Sequence, residues 1–350
     1  TLSKGAENDE RRWHLDPYAF FREALGLERA PVPQPAVLNG RRMFFMQVDG
    51  DGFESLSAVD PGQPCAKVFR DDVLARYALP FTVSVIVRGL TDDLLVAEPT
   101  PAMRLAREIF RMEHVEPASH GVLHPLRWRQ KLRPDSPPRS VAWYPSLANY
   151  EYGPVAEVRE SMRFIEERLL DAGRRCRIFL WTGDADPPEE ALLEAERDGR
   201  LHMNGGLFRW DAWSDSAGFV SPWGRRIGRG LQVYAGAANE NNFDGFFTTM
   251  PGAFRHIDTT IERTGSPRIL KPADLYVHFY IAEKPERLAS LHAGLKLAAF
   301  GQQTLEDLLL GDVGHLLALH VDDSPPVAGE DGDVGAFALA GAVHHAAHNR

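Results

Sequence analysis

The sequence predicts an α/β fold built on parallel strands, either a (β/α) barrel or an open doubly wound sheet. Strand-like and helix-like segments alternate about seven times between residues 43 and 300, which is typical of parallel strands joined by crossover helices. Most of the connections are short. Polar residues that could carry chemistry follow the strands, where a barrel of this type has its site.

The amino-terminal half of the alternation has the clearest elements. Asp16 and Pro17 have the character of an N-cap and a first helical residue, and Gly26 closes that helix. Apolar runs at residues 43–48 and 81–87 predict two buried strands. Helices are predicted at residues 66–77 and 100–112, followed by a short strand around 114–115.

The second half continues the same pattern. The longest predicted helix begins at Pro154 and ends near Asp171, where Gly173 stops it. Further strands are predicted at residues 177–181, 201–203, 231–234 and 275–280, and further helices at 187–197, 253–262 and 286–300.

The first strand runs into the loop Asp49-Gly50-Asp51-Gly52. Glycine allows positive φ angles and close approach of the backbone to a bound group, so both carboxylates can point into one small site. This geometry suits a metal ion or a proton. The alternative is an acidic surface turn after a core strand.

A pair of histidines, His120 and His124, follows the third predicted strand. The i, i+4 spacing would place both imidazoles on one side of a helical turn. Ser119 could cap that turn, and Pro125 indicates that it is short, so we expect the pair to be exposed. Two imidazoles and one carboxylate leave a fourth position open, as catalytic zinc requires.

The other strand ends carry a second group of polar residues. Asp184 follows the fourth strand, Asn204 the fifth, Asn239 and Glu240 the sixth, and His278 lies on the last. Because the carboxyl ends of parallel strands meet at one edge, these residues are expected near Asp49 and His120.

Composition limits the classes of partner. The net charge is −10 and no long Lys/Arg run offsets it, which argues against a nucleic-acid partner. No apolar run is long enough to span a bilayer. Cys65 and Cys176 form no metal-binding spacing, and one disulfide between them is left open.

Several aromatic residues could stack against sugar rings. Trp210, Trp213 and Trp223 are favoured because their Gly- and Ser-rich surroundings are typical of exposed loops. Trp143, Tyr144 and Trp181 also lie in or beside the predicted site loops.

The motifs as a set resemble the PelA-type deacetylase domains of Pel exopolysaccharide biosynthesis, which are related to the family 4 polysaccharide deacetylases. The matching stretches, in order, are residues 47–53 (QVDGDGF), 82–86, 118–125, 179–184, 202–206, 231–234, 239–241 and 270–280. The resemblance implies a distorted (β/α)7-type barrel. Ala185-Asp186 departs from it, since the family has Cys-Asn at that point.

The resemblance also implies roles for individual residues. Asp51, His120 and His124 match the ligands of a divalent metal, with Zn2+ favoured; Asp49 matches the general base and His278 the general acid. Asp184 either orients a catalytic side chain or caps the helix beginning at Pro187. The residues expected to bind or support the substrate are Asn204, Asn239, Glu240, Trp210, Trp213 and Trp223.

The implied reaction is metal-dependent N-deacetylation of an N-acetylhexosamine-containing exopolysaccharide, releasing acetate by attack of metal-activated water. The implied location is periplasmic or otherwise extracytoplasmic, with exopolysaccharide export proteins as further partners. A catalytically inactive polysaccharide-binding or export-scaffold module is the alternative. A glycosidase using Asp49 with Glu240 is a third interpretation.

The predicted domain boundaries follow the same resemblance. Residues 1–35 form a linker and an N-terminal helix, and residues 36–300 form the barrel. Residues 301–350 are an atypical C-terminal extension, expected to be poorly ordered from about residue 324.

Overall fold

A sheet of parallel strands organises the chain. The computed structural model describes residues 2–4, 11–13, 17–26, 37–38, 41–129, 142–206, 209–212, 215–234, 254, 257–265, 269–300 and 308–310. Its strands are β1 (Leu2–Lys4), β2 (Arg11–Trp13), β3 (Val37–Leu38), β4 (Arg41–Asp49), β5 (Phe81–Val85), β6 (Val115–Ser119), β7 (Ile178–Leu180), β8 (Leu201–Met203), β9 (Gly224–Ile227), β10 (Gly230–Val233), β11 (Ala273–His278) and β12 (Leu308–Leu310).

Six of these strands form one continuous parallel path in the spatial order β11, β4, β5, β6, β7, β8. The short strand β12 also pairs in parallel with β4, whereas β3 pairs with β4 in the antiparallel sense. Because β4 lies between β11 and β5, the loop after β4 emerges between the carboxyl ends of those two strands.

Helices connect the strands. They are α1 (Pro17–Ala24), α2 (Cys65–Phe69), α3 (Val87–Leu90), α4 (Pro101–Phe110), α5 (Pro154–Arg168), α6 (Glu189–Ala195), α7 (Ile257–Arg263) and α8 (Pro285–Phe300). A π-helical turn, Arg70–Leu74, extends α2. The predicted start of α4 is confirmed, since the Thr100 hydroxyl accepts the Met103 amide and Pro101 is the first helical residue.

Alternation along each strand separates two apolar layers. On β4, Phe44, Met46 and Val48 pack into the large core that the helices cover, whereas Met43 faces the other way. This is the period of two expected of a strand. On the other face, Met43, Ala118, Ile178, Leu180 and Met203 form a small group that we call the interior apolar cluster.

Side-chain contacts across this interior show that the sheet curls. Along the sheet, β8 is four strands from β4, which is about 19 Å in a flat sheet at about 4.8 Å per strand. Yet Asn204, directly after β8, donates a hydrogen bond to Asp49 at 2.9 Å and accepts one from Gln47. The sheet is therefore a half barrel, and the barrel alternative of the sequence prediction is confirmed.

One predicted barrel strand is wrong. The strand predicted at residues 231–234 overlaps β10, which pairs antiparallel with β9 in a separate two-stranded sheet. A tight turn with Gly228 at φ 57° joins the two strands, and local pairing across such a turn needs no crossover. The short segment alone could not distinguish a hairpin strand from a barrel strand.

Three remaining expectations can be compared with the described residues. Cys65 and Cys176 are both buried and free, so the disulfide left open is not formed. No helix within the described ranges is long and apolar enough to cross a bilayer. Of the C-terminal extension only β12 is described after residue 300, and the segment from about residue 324 lies outside the described residues.

Candidate metal centre

The loop after β4 brings two carboxylates to the mouth of the half barrel. Asp49 is 1% exposed, and the Asp51 side chain is 20% exposed. Gly52 has φ 76°, and a Cβ there would lie 2.6 Å from the Cβ of Tyr280. A side chain at this position would be both strained and obstructed. The glycine is what lets the loop turn so tightly around Asp51.

The two histidines meet Asp51 at the end of β6. His120 Nε2 lies 3.1 Å from Asp51 Oδ2, and His124 Nε2 lies 3.1 Å from Asp51 Oδ1. The imidazole centroids are 5.0 Å apart. The predicted convergence of the pair with an aspartate of the first loop is thus present in the structure.

The predicted local conformation of this pair is wrong in two respects. Residues 120–124 form an irregular loop rather than a helical turn, with Gly121 at φ 81° and His124 at φ 57°. The imidazoles are buried instead of exposed, at 1% and 6% exposure. The two rings are neighbours, as the spacing predicted, but an irregular loop brings them together instead of a helical turn.

A buried glutamate explains the shape of this loop. Glu157 on α5 accepts hydrogen bonds from the backbone amides of Val122 and Leu123 and from the hydroxyl of Tyr150. The loop amides are therefore satisfied by a side chain instead of by helical carbonyls. Burial raises the pKa of Glu157 to about 7, against the lowering effect of these three donors.

The donor atoms suit a divalent metal. His120 Nδ1 is 2.9 Å from the carbonyl oxygen of Leu180, so Nδ1 carries the proton and donates, and the Nε2 lone pair faces Asp51. Ligand atoms of Asp51, His120 and His124 all lie within 4.8 Å of one another. Two imidazole nitrogens and one carboxylate oxygen form a common set of ligands for catalytic zinc.

Electrostatics at the same three residues also favour a cation. Burial would raise the pKa of Asp51, but the charge of His124 and, when the imidazoles are protonated, hydrogen bonds from both of them hold it well below its usual value. Burial would lower the pKa of His120, and the carboxylates of Asp49 and Asp51 outweigh this and raise it. Positive charge beside the carboxylates is therefore stabilised in this pocket.

Asp49 is held by neutral donors. The Asn204 amide donates to both carboxylate oxygens, at 3.2 and 2.9 Å, and Tyr276 Oη donates to Oδ2 at 2.6 Å. Gln47 Nε2 in turn donates to Asn204 Oδ1, which fixes the orientation of that amide. We call Gln47, Asp49, His120, Asn204 and Tyr276 the polar rim.

Asn204 itself adopts a strained backbone conformation. Its φ is 106°, which is rare for a residue with a side chain. The carbonyl oxygen of Asn204 accepts from Gln232 Nε2 at 2.9 Å, and its side-chain amide also donates to the Trp181 carbonyl. These contacts hold Asn204 under Asp49 despite the strain.

His278 completes the arrangement from the end of β11. Its Nε2 lies 3.9 Å from Asp49 Oδ2, and its ring stacks on Tyr280 with centroids 4.6 Å apart. Ligand atoms of Asp49, Asp51 and His278 also lie within 4.8 Å of one another. An imidazole and a second carboxylate thus lie beside Asp51.

The remaining predicted residues divide into described and undescribed ones. Asp184 Oδ1 accepts the backbone amides of Trp128 and Asp186. It does not cap α6, whose N-cap is Pro188 without a side-chain hydrogen bond, so that alternative is wrong. Asn239, Glu240 and Trp213 lie outside the described residues.

The tryptophans differ from the expected exposure. Trp210 and Trp223 were predicted on exposed loops but are half-buried. The ammonium of Lys271 lies 5.2 Å from the Trp223 ring centroid. Trp143 is 51% exposed, and its ring meets His124 edge to face at 6.5 Å. Trp143 is thus the exposed tryptophan nearest to the paired histidines in the described part of the chain.

Sequence reasoning missed three members of the site. Gln47 and Tyr276 each stand two residues before a predicted site residue on the same strand, so alternation could have placed both on the interior face. Glu157 had no such signal. It reaches the histidine loop from a helix whose pattern shows no reason for a buried charge.

Comparisons with known proteins found structural similarity but no sequence match. No protein-family model matches the chain, and no curated protein matches it. A putative polysaccharide deacetylase from Mycobacterium smegmatis is 16% identical over 86% of this chain and 98% of its own, with TM-score 0.47.

Two other solved structures are comparably distant. PuuE allantoinase is 14% identical over 83% of this chain and 93% of its own, with TM-score 0.48. A CE4 family pseudoenzyme from Bacillus anthracis is 11% identical over 79% of this chain and 66% of its own, with TM-score 0.42. These values are too low to carry an argument about function, which rests on the geometry of the site.

Proposed function

We propose that this chain is a metal-dependent polysaccharide N-deacetylase of the PelA type, acting on an exopolysaccharide that contains N-acetylhexosamine. One observation carries the proposal: Asp51, His120 and His124 meet at the barrel mouth with Asp49 and His278 beside them. These groups provide a metal-ligand set, a base and an acid in one pocket.

Asp51, His120 and His124 would hold the metal, for which Zn2+ is the favoured ion. When bound, a divalent metal lowers the pKa of water and stabilises negative charge on a carbonyl oxygen. Asp49 Oδ2 removes the proton of the attacking water. Asn204 and Tyr276 hold this carboxylate in one orientation.

His278 is the proposed acid for the second half of the reaction. It gives a proton from Nε2 to the nitrogen of the amide, so that the amino sugar leaves and acetate remains. Stacking on Tyr280 fixes the plane of the imidazole. Attack and departure then use two different side chains on neighbouring strands, β4 and β11.

A polysaccharide substrate is supported by the surface next to the ligands. Trp143 presents an exposed ring beside His124, and the adjacent Tyr144 stacks under the guanidinium of Arg88 at 5.6 Å. An apolar face bordered by hydrogen-bonding groups suits a sugar ring. The proposed setting is extracytoplasmic, where such a polymer and its export proteins are met.

Acetate release from N-acetylhexosamine oligomers, with and without a chelator, tests this proposal. We expect release by the native protein, loss with the chelator, and at least about 100-fold slower release by Asp49→Asn. Asp60→Asn is the matched control, because Asp60 is an exposed carboxylate after the same strand, and it should behave as wild type.

Three results would contradict the assignment. Release by Asp49→Asn at the wild-type rate would remove Asp49 as the base. Tight oligomer binding by metal-loaded protein without any acetate would favour the inactive binding module. Shortened oligomers would indicate the glycosidase.

A further inference from the structure

Tyr276 places one hydroxyl between the two residues proposed to move protons. Its Oη lies 2.6 Å from Asp49 Oδ2 and 3.3 Å from His278 Nε2. The direct distance between His278 Nε2 and Asp49 Oδ2 is 3.9 Å, which is too long for a hydrogen bond. The hydroxyl therefore provides the hydrogen-bonded connection between acid and base.

The strand geometry makes this connection rigid. Tyr276 and His278 are two residues apart on β11, so both side chains point to the interior face, and His278 pairs in register with Asp49 on β4. The ring of Tyr276 packs against the interior apolar cluster. The phenol oxygen is thus held at the height of the two reacting groups.

Hydrogen-bond chemistry fixes the direction of the two contacts. An ionised carboxylate can only accept, so the hydroxyl hydrogen of Tyr276 points to Asp49. The phenol oxygen then has lone pairs left for the N–H of His278 Nε2. Satisfying a buried carboxylate would account for the first contact alone, and Asn204 already donates to both oxygens of Asp49. The second contact, to His278, is what a purely structural role leaves unexplained.

We propose that the Tyr276 hydroxyl returns a proton from Asp49 to His278 at the end of each turnover. This inference rests on the proposed function, in which Asp49 takes a proton from water and His278 gives one to the leaving amine. After these two steps Asp49 Oδ2 carries an extra proton and His278 Nε2 lacks one. The site cannot begin another cycle until this difference is removed.

The return step is balanced without any further reactant. Once Asp49 is protonated and His278 Nε2 has lost its proton, the Tyr276 hydroxyl turns so that its hydrogen points to His278. The O–H bond at Asp49 Oδ2 then breaks as Tyr276 Oη gains that proton, and the original Oη–H bond breaks as His278 Nε2 gains its proton. Tyrosine is neutral before and after. Over the whole cycle, one proton of water ends on the amine nitrogen, and the other leaves with the acetic acid, which ionises to acetate.

Tyr276→Phe is the direct test, because it removes the oxygen and keeps the ring that packs in the interior. We expect kcat for acetate release to fall roughly 10- to 100-fold, with KM within about twofold and metal stoichiometry unchanged. Tyr77→Phe is the matched control. Tyr77 Oη contacts His292 Nδ1 at 3.1 Å outside the site, so its removal should leave kcat unchanged.

A second measurement separates proton return from a structural role. Imidazole added as buffer can carry a proton that the missing hydroxyl no longer carries, so kcat of Tyr276→Phe should rise with imidazole concentration at constant pH. The wild type and Tyr77→Phe should not respond. A distorted site would give no such recovery.

The outcomes also distinguish this inference from the proposed function. Absence of acetate release by the metal-loaded wild type overturns the proposed function itself. An active wild type with an equally fast Tyr276→Phe overturns the proton return alone, as does a slow Tyr276→Phe that imidazole fails to accelerate. In 15N-histidine spectra, an unchanged Nε2 signal of His278 in Tyr276→Phe would show that the hydroxyl contact is absent.

Discussion

The polar rim and the interior apolar cluster occupy the same face of the same strands, a few residues apart. Met43 and Asp49 lie on β4, and Ala118 and His120 are two residues apart at β6. Alternation therefore decides only that these side chains face inward. The position along the strand decides whether they fill space or meet at the mouth, where the loops bring Asp51 and His124.

Replacing Asp51, a proposed metal ligand at the barrel mouth, should have the largest effect. Asp51→Asn removes the charge that both imidazoles contact, so we expect acetate release to fall at least about 1000-fold, or about 4 kcal/mol in barrier height. Circular dichroism and thermal unfolding should show a retained fold. If Asp51→Asn lowered the free energy of unfolding by as much as it raised the barrier to acetate release, the role of Asp51 would be structural.

A change in the interior apolar cluster should have the opposite effect, lowering stability while leaving activity nearly unchanged. Ile178→Ala removes a fully buried side chain of the interior apolar cluster, at a cost of about 2–5 kcal/mol in the free energy of unfolding. Denaturant unfolding measures this cost, and kcat of the remaining folded protein should be near wild type. A loss of kcat in Ile178→Ala without a loss of stability would contradict this separation between activity at the barrel mouth and stability in the interior apolar cluster.

Glu157, which accepts the backbone amides of the loop at residues 120–124, makes the stability of the protein depend on pH. Burial raises its pKa from 4.5 to about 7, so between these values the folded state holds a proton that the unfolded state has released. Stability therefore falls as pH rises through this window, by on the order of 1–3 kcal/mol. Above about pH 7 the contribution no longer changes.

Glu157→Gln isolates this contribution, because its amide reproduces the neutral acid and can still accept the loop amides. The difference in unfolding free energy between variant and wild type should grow in favour of the variant from about pH 4.5 to 7. Urea unfolding at several pH values gives this difference. A constant difference across the window would show that Glu157 is charged in the folded protein.

Trp143 should give the smallest effect. If its exposed ring supports a sugar, Trp143→Ala should raise KM about fivefold, equivalent to about 1 kcal/mol of buried apolar area, with kcat nearly unchanged. Leu231→Ala is the control, since Leu231 is also exposed, at 42%, and lies on β10. Equal effects of both changes would remove Trp143 from the substrate surface.

Local patterns predicted much of the fold and part of the site. The apolar runs that became β4 and β5 and the cap at Thr100 are specified by neighbouring residues, so the sequence shows them directly. The convergence of Asp51 with His120 and His124 followed from their positions after parallel strands. Their functional roles stay predictions until metal and activity are measured.

The features that could not be predicted depend on long-range packing. The burial of both imidazoles requires Glu157, 37 and 33 positions away along the chain from His120 and His124, to satisfy the loop between them. The contact of Asn204 with Asp49 requires the sheet to curl across four strands. β10 was predicted as a barrel strand because a short strand-like segment does not show which strand it pairs with.

The central claim is that Asp51, His120 and His124 form a metal site, and metal analysis of the purified protein tests it most directly. After equilibration with Zn2+ and removal of the unbound ion, we expect about one equivalent per chain in the wild type and in Asp60→Asn. His120→Ala and Asp51→Asn should retain far less. A folded wild type without bound metal, or stoichiometry unaffected by both ligand changes, would contradict the account.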